Sequence, residues 1–400
     1  MASLEELKKA RLSKLESLKK AGMEVYPAKV PRDHCLSDAH KNFAEYEKTG
    51  KTINLAGRVM AIRGQGAILF FVLDDGKAVF QAVVKKDVLS PDLFELITNA
   101  VDIGDIISVS GPFFKTQKGE ESILVKSWTM ASKSLLPLPE KWHGLVDPDE
   151  RLRKRYLDFI MDPSLRDLFK KKAVFWDATR RILKKKGFLE VETPTLELTT
   201  GGAEARPFMT HHNDYDLDVF LRISVGELWQ KRLMAGGFPR TFEIGRAYRN
   251  EGSSPEHVQE FTNVEFYASY MSFEDGLTLT EKLIKEIAKE IFGTMSFTVR
   301  EHSFDLSGSW PHIDYVETVE KMTGVNILKA SEKEMEKKVK DLKIDFEGSN
   351  RERLTDTLWK YCRKQITGPA WLVNHPELVS PLSKSNPQNP EITLRGQLIL

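Results

Sequence analysis

The stretch from Thr241 to Tyr270 has side chains that could bind a ligand at every second position. Small residues, an arginine, paired carboxylates and two aromatics share one face of the β-hairpin that the alternation predicts. They are Glu243, Gly245, Ala247, Arg249 and Glu251 in the first strand, and Phe261, Asn263, Glu265 and Tyr267 in the second. A solvated face would instead mix Lys, Glu, Thr and Ser. This composition suits the floor of a ligand site.

The opposite face of the predicted hairpin is mostly apolar. It holds Phe242, Ile244, Tyr248, Thr262, Val264, Phe266 and Ala268. The polar loop Gly252–Pro255 separates the two strands, and its Gly and Pro are typical of turns. A second interpretation stays open for the hairpin alone: an ordinary half-exposed sheet with a local ion pair between Arg249 and Glu251.

The elements around this hairpin belong to a chain of ordinary globular composition. Its 400 residues exceed one typical core and predict two or three domains. Hydrophobic residues make up 41% and charged residues 29%, and no apolar run approaches the ~20 residues of a membrane span. The N-terminal sequence lacks the apolar segment of a signal peptide. We therefore expect a cytoplasmic protein with no membrane partner.

Charge and cysteine content narrow the function classes further. Cys35 and Cys362 lie far apart and predict neither a disulfide framework nor a metal knuckle. The formal net charge is +1, so any contact with a nucleic acid must come from local patches.

Residues 1–50 are predicted to form a basic amphipathic helix and a lead-in. Ser3 and Glu6 have capping-box spacing, and Gly22 stands where a helix would end. Leucines at helical intervals, Leu4, Leu7, Leu15 and Leu18, predict the buried stripe. The other face carries Lys8, Lys9, Arg11, Lys14, Lys19 and Lys20. Either a solvated face or a face that contacts phosphates fits this pattern.

In residues 51–136 the pattern changes to five short runs of β-type sequence, which Gly-, Asp- and Lys-rich turns separate. This pattern predicts a small barrel of the OB type. Such barrels bind single strands by stacking bases on exposed aromatics and by hydrogen bonds to base edges. Arg63, Phe70 and Gln81 are candidates for these contacts. The alternative that Phe70 belongs to the core and Gln81 to the surface stays open.

The remaining sequence predicts a linker and a mixed domain. Residues 137–160 contain prolines and a basic hinge, and they show no sustained hydrophobic periodicity. We interpret them as a linker. Residues 161–400 begin with a long helix that Ser164 and Asp167 would cap and Gly187 would end, followed by the strand GFLEVETP. A loop of small residues, Thr199–Ala203, would let its backbone approach a ligand closely. Further amphipathic helices are predicted over 273–292 and 331–342.

With these elements in place, the chain resembles class II aminoacyl-tRNA synthetases that have an N-terminal OB-type anticodon domain, and among them the bacterial lysyl-tRNA synthetases. The resemblance rests on PLPEKWHGL, RKRYLD, GFLEVETPTL, GGAEARPF, and FEIGRAYRNEG followed by EFTNVEFY. GFLEVETP is similar to motif 1, and the hairpin is similar to motif 2. The implied fold is α+β, with a five-stranded OB-type barrel and an antiparallel-sheet catalytic domain. The implied function is ligation of lysine to tRNA(Lys) with ATP and Mg²⁺, in a homodimer formed through Gly187–Pro194.

The resemblance also implies roles for the hairpin residues. Arg249 matches the catalytic arginine that bridges the amino-acid carboxylate and the α-phosphate, two anions that otherwise repel. Glu251, His257 and Phe261 match ATP contacts, the last by stacking on adenine. The lysine contacts match Gly202, Glu227, Arg249, Glu265 and Tyr267, of which Glu265 and Tyr267 correspond to the pair that binds the ε-ammonium. Arg63, Phe70, Gln81 and Glu120 match positions that contact the anticodon.

Four departures from the family pattern affect these expectations. Glu256 stands where the hairpin loop often has an arginine, and Val258–Gln259 replace Asn-Pro. The segment Ser224–Gly226 carries one residue more than the usual spacing. Gln397 stands at an expected magnesium-ligand position, so no metal ligand is assigned with certainty. The sequence stops at Leu400, before the expected motif 3, and a fragment of a longer ligase is expected.

The sequence leaves three hypotheses about the function. The first is a lysine–tRNA ligase. The second is a non-catalytic RNA-binding remnant that keeps the barrel and the basic helix. The third is an aspartate or asparagine ligase, against which Glu265 has the wrong charge for an acidic substrate.

Overall fold

The computed structural model describes residues 3–64, 66–139, 145–254, 257–299, 301–346 and 348–400. The chain folds as two compact units, Met1–Leu168 and Phe169–Leu400. Both contain helices and sheets, so the fold is α+β as the sequence predicts. Among the described residues, every helix is too short or too polar to cross a bilayer.

The first unit is built around one sheet. Its helices are α1 (Leu4–Lys20), α2 (Leu36–Lys41), α3 (Phe43–Thr49), α4 (Pro91–Ala100), α5 (Pro148–Arg153) and α6 (Arg155–Met161). Its strands are β1 (Ile53–Arg63), β2 (Ile68–Asp74), β3 (Val79–Lys85), β4 (Ile106–Gly111), β5 (Phe113–Lys115), β6 (Glu121–Leu124) and β7 (Ser127–Ser132). They pair in the order β5-β6-β3-β2-β1-β4-β7. All five predicted β-runs form strands, and the fifth divides into β6 and β7.

The barrel core forms because each strand alternates buried and part-exposed residues. At most 1% of the surface is exposed in each of Leu55, Val59, Phe71, Leu73 and Ile123. At about 25 cal/mol per Å², such burial is the main stabilising contribution to a unit of this size.

Helix α1 has the predicted capping box, in which Ser3 and Glu6 exchange side-chain and backbone hydrogen bonds. Two of the six residues on its basic face, Arg11 and Lys14, differ from the prediction, whereas the other four are exposed. The buried Arg11 guanidinium donates to the carbonyls of Ile103, Ser134 and Leu136, and Lys14 Nζ lies 2.6 Å from Asp102 Oδ1. Both side chains attach α1 to the barrel, because desolvated cations need partners. Leu4 and Leu7, predicted as buried, are exposed.

The described residues of the predicted linker 137–160 are partly helical. Because the segment has no long hydrophobic periodicity, its sequence did not predict the short helices α5 and α6. Asp147 caps α5 by accepting from the Asp149 N–H. Residues 140–144, which carry part of the PLPEKWHGL match, lie outside the described residues.

The second unit contains several small sheets packed on helices. Its helices are α7 (Pro163–Lys185, which begins before the unit boundary), α8 (Glu227–Ala235), α9 (Phe273–Phe292), α10 (Tyr315–Thr323), α11 (Glu332–Asp341), α12 (Arg351–Arg363) and a 3-10 turn (Glu377–Val379). The predicted helices 273–292 and 331–342 are therefore confirmed. The predicted cap of α7 is wrong: Asp162 Oδ1 accepts from the Ser164 N–H and hydroxyl, so the helix begins earlier.

The strands of the second unit are short. They are β8 (Leu189–Glu190), β9 (Leu196–Glu197), β10 (Met209–His212), β11 (Leu217–Leu221), β12 (Arg240–Tyr248), β13 (Glu260–Ala268), β14 (Ser296–Val299), β15 (His302–Asp305), β16 (His312–Asp314), β17 (Ala370–Val373), β18 (His375–Pro376), β19 (Ser385–Asn386), β20 (Asn389–Thr393) and β21 (Gln397–Ile399). They pair as β10-β11-β9, β13-β12-β8, β14-β15, β16-β17-β21 and β18-β20-β19.

Candidate functional site

The predicted hairpin is the pair β12–β13, which is antiparallel with Thr241 opposite Tyr267, Glu243 opposite Glu265, Gly245 opposite Asn263 and Ala247 opposite Phe261. Its apolar face packs with Phe242 fully buried against α7 and α9. This burial fixes the register, because a slip by one residue would place the charged face in the core. The alternation predicted from the sequence is confirmed.

Two glutamates stand directly opposite each other on the other face, Glu243 and Glu265. Like charges in opposed positions destabilise a strand pair unless they are compensated. Glu243 is compensated: its Oε1 lies 2.6 Å from Arg222 Nη1, and both side chains are buried. Its Oε2 also accepts from the Thr193 hydroxyl at 2.6 Å.

Among the described residues, Glu265 has only neutral partners. Its Oε1 accepts from the Val225 N–H at 2.8 Å and from Asn263 Nδ2 at 3.2 Å, and its Oε2 accepts from the Tyr267 hydroxyl at 3.1 Å. Within the part of the chain that the structure describes, no lysine or arginine forms a salt bridge with Glu265. Of these two opposed carboxylates, only Glu243 is therefore paired with a cation in the described part of the chain.

Tyr267 is kept as a hydrogen-bond donor by its surroundings. Burial raises the pKa of its phenol, and the charges of Glu265 and Glu227 raise that pKa further. A phenol that remains protonated can donate to Glu265 and still accept from a ligand cation.

Glu227 and Gly202 lie beside the same group of residues. Glu227 is in the first turn of α8, and its Oε1 is 2.6 Å from Lys231 Nζ. Gly202 has φ +91°, and a Cβ there would overlap the Ser224 hydroxyl and lie 2.6 Å from Glu227 Oε2. The small-residue loop therefore approaches Glu227 as closely as only glycine allows.

Arg249, Phe261, Glu251 and His257 occupy the loop end of the hairpin. The Arg249 guanidinium lies 5.2 Å from the Phe261 ring centroid, which is the geometry of a cation–π contact. Glu251 Oε1 accepts from the Arg206 N–H at 3.2 Å, and His257 Nδ1 lies 2.8 Å from the Ser254 hydroxyl. Among the described residues no salt bridge joins Arg249 to Glu251. The alternative of a local ion pair therefore has no support, and Glu256 lies outside the described residues.

Sequence reasoning missed the residues that support this floor. Arg222 is 4% exposed, and besides Glu243 it donates through Nε to the Arg246 carbonyl at 2.8 Å. Gln230 is fully buried and donates to the Val225 carbonyl at 3.0 Å. An arginine within the apolar run that ends β11 was the one available signal, since a buried arginine needs a buried carboxylate.

The described residues of the site form no preformed metal cage. Among the described residues no three His, Cys, Asp or Glu side chains cluster as metal ligands would. Gln397 is exposed on β21 and offers a neutral amide oxygen. Beside it, burial and the charge of Arg395 lower the pKa of His375 to about 4. The donor set alone therefore does not fit a resident Mg²⁺, which prefers carboxylates together with substrate phosphates.

The first unit has a cleft of about 800 Å³ lined by Arg63, Phe70, Gln81 and Glu120, the four residues predicted to contact an anticodon. The β1–β2 register places Arg63 opposite Phe70, and Gln81 Nε2 donates to Ser122 Oγ at 2.9 Å. Phe70 is half-buried between Leu69 and Phe71, which are buried. Its ring therefore belongs to the cleft side of the sheet, and the alternative that Phe70 is a core residue is wrong.

Comparisons with known proteins agree on both units. Residues 53–131 match the OB-fold nucleic acid binding domain, and residues 147–398 match the class II tRNA synthetases (D, K and N). The chain is similar to proteins named lysine–tRNA ligase from Thermotoga maritima (37% identity, 99% of this chain, 80% of the relative) and Carboxydothermus hydrogenoformans (39%, 99%, 81%). A relative of the same name from Roseiflexus is 36% identical over 99% of this chain and 82% of its own length.

Proposed function

The chain belongs to the lysine–tRNA ligase family of class II tRNA synthetases, and we propose that it activates lysine with ATP and transfers the lysyl group to tRNA(Lys). The observation that carries the choice of lysine is the floor of the hairpin, where only Glu243 of two opposed carboxylates is paired with a protein cation. A substrate ammonium supplies the second cation. An acidic side chain would add a third negative charge to the same place.

The ε-ammonium of lysine binds between Glu265 and Tyr267. Tyr267 holds one carboxylate oxygen at 3.1 Å and offers its own oxygen as an acceptor. A substrate without the ammonium would leave Glu265 desolvated and unpaired, which costs more than a missing methylene group. Selectivity for lysine over norleucine is therefore strong.

The α-amino group binds Glu227, beside the Gly202 backbone. Glu227 already holds Lys231 through Oε1, and its Oε2 lies 2.6 Å from the position that a Cβ of Gly202 would occupy. The amino acid is thereby held at both of its cationic ends, and its carboxylate is directed toward Arg249.

Activation joins the lysine carboxylate to the α-phosphorus of ATP. An oxygen of the carboxylate forms a bond to phosphorus, the bond to the bridging oxygen breaks, and pyrophosphate leaves. Arg249 reduces the repulsion between the two anions by donating to both, a bidentate role for which guanidinium is suited. The tRNA terminal hydroxyl then attacks the lysyl carbonyl and releases AMP.

ATP binds at the loop end of the hairpin. Phe261 stacks on adenine, Glu251 contacts the nucleotide and His257 lies near the phosphates. Family members use ATP with Mg²⁺, which neutralises phosphate charge when bound. Because the protein donor set alone does not fit the ion, Gln397 is assigned no step.

The cleft of the first unit binds the anticodon. Lys85, Lys115 and Lys118 line it together with the four predicted residues, so cations for the phosphates lie beside a half-buried aromatic ring for a base. The chain acts as a homodimer through Gly187–Pro194, and its place of action is the cytoplasm.

The test is amino-acid-dependent exchange of pyrophosphate into ATP, followed by charging of tRNA. Lysine should support exchange, while norleucine and aspartate at the same concentration should not. tRNA(Lys) should accept lysine, and a tRNA with another anticodon should accept much less. Exchange that is equal with lysine and norleucine would contradict the proposal.

A further inference from the structure

Two neutral donors besides Tyr267 hold the carboxylate of Glu265. The Val225 N–H and Asn263 Nδ2 both donate to Oε1, at 2.8 and 3.2 Å. One comes from the loop before α8, and the other from the same strand as Glu265. Together they occupy one oxygen of the carboxylate and leave Oε2 as the oxygen with spare acceptor capacity.

The side chain of Asn263 can bond in only one orientation. Its Oδ1 accepts from the Val264 N–H at 3.0 Å, and a backbone N–H can only donate. The amide nitrogen must therefore face Glu265.

Opposite Asn263 stands Gly245, where a Cβ would overlap the Arg222 guanidinium. The glycine thus leaves room for the buried cation beneath the floor.

The Val225 N–H depends on the conformation of the next residue. Gly226 precedes α8 with φ +71°, a conformation that other residues rarely adopt. A Cβ at Gly226 would overlap Thr193 Oγ1 and lie 2.9 Å from Glu243 Oε2. The preceding Ser224 hydroxyl donates to the Gly201 carbonyl at 2.9 Å. The buried turn Ser224–Gly226 therefore connects Glu265 to the glycine loop beside Glu227.

We propose that Asn263 and the Gly226-dependent N–H of Val225 are positioning groups that fix the Glu265 carboxylate and thereby determine the selectivity for a side-chain ammonium. This inference rests on the proposed function, since it names how the same site selects its substrate. With Oε1 held by two donors, Glu265 presents Oε2 and the Tyr267 oxygen to the incoming cation. Without them the carboxylate turns, and the ammonium loses its aligned acceptor.

The first test replaces Asn263 by leucine, which keeps the volume and removes the donor. Lysine affinity should fall by about ten-fold or more, as for a lost hydrogen bond to a charged group, while ATP affinity stays unchanged. Norleucine binding should change little, so the ratio of lysine to norleucine affinity should fall. The matched control is Asn326→Leu, because Asn326 is also half-buried and donates to a carboxylate, Glu320 Oε2 at 2.9 Å, but lies between α10 and α11.

The second test is Gly226→Ala, which should raise the KM for lysine with a smaller effect on the KM for ATP. Its control is Gly237→Ala at the other end of α8, where φ is +98° and nothing lies within 4 Å of the added Cβ. Both glycines have a positive φ, so a larger effect at Gly226 reports the overlap of the added Cβ with Thr193 and Glu243.

The outcomes separate the two proposals. If the unaltered protein does not prefer lysine to norleucine, the proposed function fails. If it does, and Asn263→Leu and Gly226→Ala keep the same preference, the positioning role is wrong. Equal losses for lysine, norleucine and ATP would indicate a structural effect only and would also overturn it.

Discussion

At the scale of single residues, the arrangement of Glu243, Glu265 and Arg222 decides what the hairpin can bind. One carboxylate is neutralised by a buried arginine, and the other is surrounded by neutral donors. The buried pair belongs to the scaffold, because separating it would leave a desolvated charge at a cost of about 3–5 kcal/mol. The unpaired carboxylate is the one available to a ligand.

Glu265→Gln should therefore weaken lysine binding by about 2–5 kcal/mol, because the ammonium loses its charged partner. ATP binding should stay unchanged, since Glu265 contacts only the amino-acid end in the proposed complex. Equilibrium titration with each ligand measures both effects. The control is Glu260→Gln on the same strand, where the exposed carboxylate lies 3.6 Å from Arg246. A variant that binds lysine as tightly as the unaltered protein would exclude Glu265 as the specificity residue.

At the scale of elements, strands β1, β2 and β3 bring a ring, an arginine and an amide to one cleft. Phe70→Ala should lower the affinity for a lysine-tRNA anticodon stem-loop by about 1–3 kcal/mol, because a base loses its stacking surface. Binding at fixed salt measures this. Tyr156→Ala on α6, whose ring is 65% exposed and outside the cleft, is the control. Equal affinities for Phe70→Ala and the control would remove the anticodon assignment.

A second element-scale prediction concerns β18 and its buried His375. Burial and Arg395 lower the pKa of His375 to about 4, and its ring lies against Tyr315. Because the unfolded side chain binds a proton near pH 6.5 and the folded one does not, this contribution to stability is complete above that pH. It is lost as the pH falls from 6.5 toward 4. By pH 5 the loss should be about 2 kcal/mol.

Urea unfolding at pH 7 and pH 5 checks this expectation. The difference between the two free energies of unfolding should be smaller by that amount in His375→Asn, which keeps a donor for the Arg395 carbonyl. An unchanged difference would show that His375 is not the group that titrates.

At the scale of the whole molecule, the prediction concerns self-association. Leu189 lies on β8, at the edge of the β13-β12-β8 sheet in the described part of the chain, and is 49% exposed. Leu189→Asp should shift a homodimer toward monomer, since a carboxylate buried in the interface would be unpaired. Sedimentation equilibrium measures the shift. Leu382→Asp, at a position 92% exposed and outside Gly187–Pro194, should not change the association; monomer in all three proteins would contradict the proposed dimer.

The sequence by itself determined the features that depend on neighbours along the chain. The alternation of β12 and β13, the capping box of α1, and the β-runs of the barrel all agree with the structure. Periodicity and capping act over a few residues, so one stretch of sequence contains all the partners.

Tertiary structure alone decided which charges are used by the scaffold. Arg11 and Lys14 belong to a basic face in sequence, yet they bind Ile103, Ser134, Leu136 and Asp102. Arg222 and Glu243 are separated by 21 positions and form a buried pair, whereas the neighbouring Glu265 accepts from the neutral Val225 N–H. A charged residue looks the same in the sequence whether or not it pairs with another residue of the protein. Its partner and its burial depend on which distant segments pack against it, and these contacts exist only in the folded chain.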